Sequence, residues 1–122
     1  MSSVINWFDI PATNFERAVQ FYETVLETKL IQENMLGAQM ALFPAKPGEA
    51  TGAIMARAGV SPGTSGTTIY LKAGNDLAIA TARVEAAGGK LVFPKTFIKE
   101  DFGYFAIMID TEGNSVGLHS PN

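Results

Sequence analysis

Two side chains of this sequence could carry proton chemistry. His119 is the single histidine, and imidazole is the one side chain whose ordinary pKa lies near neutrality. As a general base it would take a proton from a carbon beside a carbonyl. Asp9 stands in an otherwise apolar stretch, Trp7-Phe8-Asp9-Ile10, where a charge is costly unless paired or wet. It reads as a proton acceptor or a ligand anchor, and as a plain backbone-bonding aspartate otherwise. Trp7, the only tryptophan, can stack on a flat molecule or fill a core. Arg57 is the best single anion anchor near the strand ends.

Much other chemistry has no residues to support it. The chain has no cysteine, so disulfides, thiolate nucleophiles and cysteine zinc sites are out. No glycine-rich phosphate loop follows a strand, and no Ser/His/Asp arrangement has motif context. The net charge is -3 without a Lys/Arg cluster, which argues against nucleic acid and membrane surfaces as partners. The N-terminal stretch MSSVINWFDIP has neither a basic leader nor a long apolar run. No segment approaches the roughly 18–20 apolar residues of a membrane span. The expectation is a soluble cytoplasmic protein of one domain over residues 1–122, with no cofactor.

The elements that must position these residues occur twice. Residues 4–58 run strand (VINWFDI), helix (NFERAVQFYETVLE) and three strands (KLIQEN, GAQMALFP, GAIMARA). Residues 66–120 repeat that order with TTIYLKA, DLAIATARVEAAG, GKLVFPK, GYFAIMID and SVGLHS. Phe15, Ala18, Val19, Tyr22, Val25 and Leu26 fall on one face of the first helix. Thr13 and Glu16 have the spacing of its capping box. Asn75 or Asp76 caps the second helix, and Gly88 and Gly89 end it. The Gly/Ser/Thr/Pro-rich residues 59–65 form a linker between the modules. The predicted class is α+β: two βαβββ modules forming a curved eight-stranded sheet with the helices outside.

The stretch NFERAVQFY, followed by KLI, and the later DTEGN with its short strand together resemble the vicinal oxygen chelate superfamily. That group includes glyoxalase I, bleomycin-resistance proteins and extradiol dioxygenases. The resemblance covers nearly the whole chain and is nearest to small two-module glyoxalase-like members. It implies a homodimer and a small-molecule site in the concave face of the sheet. It also implies a divalent metal in metal-using members, held from the first and last strands of each module. Those positions fall here on Trp7, a residue near Ile54, Ile69 and Gly117, none of which can ligate a metal; no metal site is therefore assigned.

With Trp7 and Gly117 on the concave face, the period of two in strands adds Asp9 and His119. The expected site has Asp9 and His119 as catalytic candidates, with Trp7, Ile54, Met55, Arg57, Ile69 and Gly117 binding the ligand. The expected function is metal-free binding of a small organic molecule, with lyase- or isomerase-like glyoxalase chemistry if it is an enzyme. Two alternatives stand beside it: a metal-dependent lyase or dioxygenase with displaced ligands, and a resistance protein that sequesters an antibiotic.

Overall fold

The computed structural model describes residues 3–122. Met1 and Ser2, which open the stretch read for a leader, lie outside them. The fold is α+β, built from two βαβββ modules. Module one contains β1 (Trp7–Pro11), α1 (Phe15–Leu26), β2 (Ile31–Met35), β3 (Ala38–Leu42) and β4 (Thr51–Ala56). Module two contains β5 (Tyr70–Lys72), α2 (Leu77–Val84), β6 (Lys90–Lys99), β7 (Gly103–Ile109) and β8 (Ser115–Ser120). Hydrogen bonding divides the eight strands into two four-stranded sheets, ordered β1-β4-β3-β2 and β5-β8-β7-β6. In each sheet the first and last strands are parallel neighbours, and the first strand has a free edge.

Phe15, Ala18, Val19, Tyr22 and Val25 of the α1 stripe are buried as their spacing predicts, and Leu26 packs partly buried against the same core. The N-cap of α1 is Asn14 rather than Thr13; the Asn14 side chain accepts from the Arg17 N–H at 3.1 Å. Glu16 takes no part. The N–H groups of Thr13 and Asn14 instead donate to Glu112 of module two, at 2.8 and 2.6 Å. Asp76 caps α2 by accepting from the Ala78 N–H at 3.0 Å. Pro94 interrupts β6, where a proline does least harm, because β6 is an edge strand. The β6–β7 register shifts between Phe93 and Thr96, around it.

One apolar cluster spans both modules. It joins Ile10, Phe15, Tyr22 and Ile54 to Leu71, Leu77, Val84, Met108 and Leu118. Each helix thus covers one face of its sheet, the two helices touch, and the opposite face of each sheet carries no helix. Among the described residues no helix is long and apolar enough to cross a membrane.

Polar bonds reinforce this joint. The buried Asp110 accepts from the Tyr22 hydroxyl at 2.7 Å, the Asn114 N–H at 2.9 Å and the Asn114 side-chain amide at 3.0 Å. Asn114 also donates to the Pro11 carbonyl at 2.7 Å. Arg17 donates to Glu112, Nε to Oε2, at 2.7 Å, with the Glu112 side chain fully covered. Burial pushes the Glu112 carboxyl upward in pKa. The Arg17 guanidinium, the Asn14 N–H and the Thr111 hydroxyl outweigh that and hold it below its ordinary value. Burial first, and then the Asp110 carboxylate, raise the Tyr22 phenol well above its ordinary pKa.

Candidate functional site

Strand register decides which side chains share a face. In the first sheet Phe8 and Ile10 turn toward α1 and the core, so Trp7, Asp9 and Pro11 turn to the helix-free side. Their partners on β4 are Thr51, Ala53 and Met55. Met55 in turn pairs with Met40, which puts a soft apolar patch beside Asp9. Ile54 pairs with Ile10 and is fully buried in the core. The expectation that Ile54 lines the site is corrected: Ala53 holds the β4 position opposite Asp9.

Module two shows the same logic displaced by one residue. The Ala12 N–H donates to the Met55 carbonyl and the Ala73 N–H donates to the His119 carbonyl, both at 2.9 Å. These matched bonds equate Asp9 with Tyr70, Ala53 with Gly117, and Met55 with His119. One residue lies between Ala12 and the cap Asn14, and two lie between Ala73 and the cap Asp76. That extra residue moves Ile69 out of equivalence with Trp7. Ile69 packs against the core instead, and Tyr70 takes the helix-free face, opposite Gly117.

The Tyr70 ring lies directly over Gly117, so any Cβ at that position would overlap it. The ring continues into an aromatic row with Phe105, at 6.3 Å between centroids, and Phe93, 5.2 Å from Phe105. His119 is the next helix-free residue on β8, beside Lys72 and Phe105. Its Nε2 lies 2.5 Å from the Phe102 carbonyl oxygen. A carbonyl only accepts, so Nε2 carries the proton, and in the neutral ring the free lone pair is on Nδ1.

Asp9 is placed differently. The Trp7 indole donates to its Oδ1 at 3.0 Å, an i to i+2 contact that strand geometry allows on one face. Asp9 also borders a cleft of about 520 Å³ between β1 and module two. The strand supplies Phe8 to Pro11, the linker supplies Ser61, Gly63, Thr64 and Ser65, and module two supplies Thr67, Ile69 and Asn114 to Val116. Asp9 is the one charged residue among these walls. His119 is not among them and makes no hydrogen bond to Asp9, so the two candidate catalytic groups stand apart. Arg57 is exposed and lines a separate groove of about 730 Å³ with Thr13, Asn34 and Gln39.

Among the described residues no three His, Cys, Asp or Glu side chains cluster as metal ligands would. The positions equivalent to a metal-holding set offer an indole donor at Trp7, a hydroxyl at Thr68, a methyl at Ala53, and Gly117 covered by an aromatic ring. These residues do not fit a divalent cation. The residues that sequence reasoning missed are Tyr70 and the linker hydroxyls. The signal for Tyr70 was the one extra residue ahead of α2, where Gly74 and Asn75 stand in place of the single Thr13.

Residues 4–118 match the model of the Glyoxalase/Bleomycin resistance protein/Dioxygenase superfamily. No curated protein matches the sequence. Among solved structures the chain is similar to glyoxalase I from Zea mays in a mutant form (TM-score 0.70, 17% identity), covering 95% of this chain but 45% of that one. It therefore spans less than half of that relative. A hypothetical protein from S. aureus is similar over 98% of both chains, at TM-score 0.67 and 21% identity. A glyoxalase/bleomycin resistance protein from Albidiferax ferrireducens reaches TM-score 0.70 at 21% identity, over 97% of this chain and 98% of that one.

Proposed function

Because the chain belongs to the Glyoxalase/Bleomycin resistance protein/Dioxygenase superfamily, we propose that it binds a small organic molecule in the cleft between β1 and module two, without the metal of the family's metal-using members. The observation that carries this reading is the Trp7–Asp9 pair at the edge of the cleft between the modules. A concave space of this volume, whose walls mix apolar side chains with hydroxyls and one carboxylate, suits a small molecule. Residues 1–122 then act as one glyoxalase-like domain in the cytoplasm.

If a reaction follows binding, Asp9 is the base nearest the ligand, and His119, through Nδ1, is the second candidate; the chemistry is of lyase or isomerase type. Met55 and Ile69 contribute apolar contact, Gly117 makes room for the Tyr70 ring, and Arg57 attracts anionic groups toward the neighbouring groove. A homodimer fits the free edges of β1 and β5 and the half-exposed Tyr70 and Phe93.

Two measurements test this reading. Trp7 fluorescence, titrated with a panel of metabolites and drugs, should show saturable quenching by at least one compound. Protein purified without chelators should carry far less than one equivalent of divalent metal; a stoichiometric ion would favour a metal-dependent lyase or dioxygenase instead. The aromatic row of Tyr70, Phe105 and Phe93 supports a second reading, sequestration of a flat drug-like molecule. Quenching by antibiotics alone, with no metabolite bound, would select it.

A further inference from the structure

We infer that the cleft beside Asp9 selects a small organic cation, a protonated amine with a compact apolar body. This rests on the binding function proposed above and narrows it to a ligand class. Asp9 is the one ionic group on the cleft walls. None of the ion pairs among the described residues includes it. Its Oδ1 is engaged by the Trp7 indole, which fixes the carboxylate while leaving the full negative charge uncompensated, since an indole is a neutral donor. The remaining polar lining is neutral and rich in hydroxyls that can accept from an ammonium: Ser61, Thr64, Ser65, Thr67 and Ser115.

The charge balance excludes the opposite class. An anion in this cleft would face Asp9 at short range with no cationic wall residue to offset the repulsion, whereas Arg57 lines the other groove. An ammonium gains a charge-assisted bond to the free carboxylate oxygen, and the half-exposed Trp7 ring beside it offers a cation a second favourable surface. Ile69, Val116 and Pro11 supply apolar contact for the ligand body. A volume of about 520 Å³ suits one small molecule, not a polymer.

The test uses the full chain and a matched probe set: 2-phenylethylamine, 2-phenylethanol, 3-phenylpropionate and sorbitol, each followed by Trp7 fluorescence and calorimetry. The amine should bind at least about 10-fold more tightly than the alcohol or the acid, and its affinity should fall with added salt. Asp9→Asn keeps an oxygen that accepts from the Trp7 indole and removes only the charge. It should weaken the amine about 10-fold or more and the alcohol much less. Equal or tighter binding of the alcohol, acid or polyol, or an unchanged amine affinity in Asp9→Asn, would overturn the inference while leaving small-molecule binding intact. No binding of any probe would overturn the inference by itself, and no quenching across the broad metabolite and drug panel in addition would sink both.

Discussion

At the scale of the residue, Tyr70 and Gly117 form one unit. A methyl group at 117 would displace the ring and break its edge contact with Phe105. Gly117→Ala should therefore cost about 1–2 kcal/mol in urea denaturation. Adding Tyr70→Ala should recover part of that cost, because the overlap is gone; additive losses in the double-mutant cycle would refute the coupling. Tyr22→Phe removes one of the donors to the buried Asp110 and should cost about 1–3 kcal/mol by the same measurement. The candidate site was only partly legible at this scale. Alternation along WFDI placed Trp7 and Asp9 on one side. Ile54 was misplaced because periodicity gives faces only once the register is known, and the register of β4 is set by its partners. His119 was legible as a titratable group, but its separation from Asp9 is a matter of three-dimensional placement.

At the scale of the element, the start of α1 depends on module two. Glu112 accepts the N–H groups of Thr13 and Asn14 and pairs with Arg17. A carboxylate in that position is also favoured by the helix dipole. Its folded pKa is depressed, so its contribution is complete above the unfolded glutamate value, about 4.3, and is lost as pH falls through the folded value. Thermal melts from pH 7 to pH 3 should show stability declining from roughly pH 5 downward, with a shallower decline in Glu112→Gln. At pH 7 that variant should be less stable by about 1–3 kcal/mol. An identical acid limb in the variant would show that Glu112 is not the group responsible. The helices, the order of elements along the chain and most strands could be read from pattern. The cap could not, because a capping box is a local motif, and the box partner expected at Glu16 lies instead across the module boundary, nearly a hundred residues away.

At the scale of the molecule, neither module has a core of its own. The apolar cluster runs from Ile10 to Leu118 through both, so unfolding should be a single transition. Trp7 fluorescence reports module one, and far-UV circular dichroism reports both. The two urea curves should coincide, and a Trp7 transition that precedes the loss of ellipticity would mean that module one melts independently. The repeated order of elements made this architecture visible in the sequence. How the two copies are fastened was not visible, because the fastening joins Asp110, Asn114 and Glu112 to partners in module one that lie far away in sequence.

The helix NFERAVQFY and the turn DTEGN, the two stretches by which the chain is recognisable, turn out to be bonded to each other: Tyr22 to Asp110 and Arg17 to Glu112. They also lie on opposite sides of the linker. A recombination event inside residues 59–65 would look harmless, since it joins two intact modules, yet it would always separate the two halves of this clasp. Exchange of modules between relatives is therefore constrained less by the junction than by whether both partners bring matching residues at these four positions.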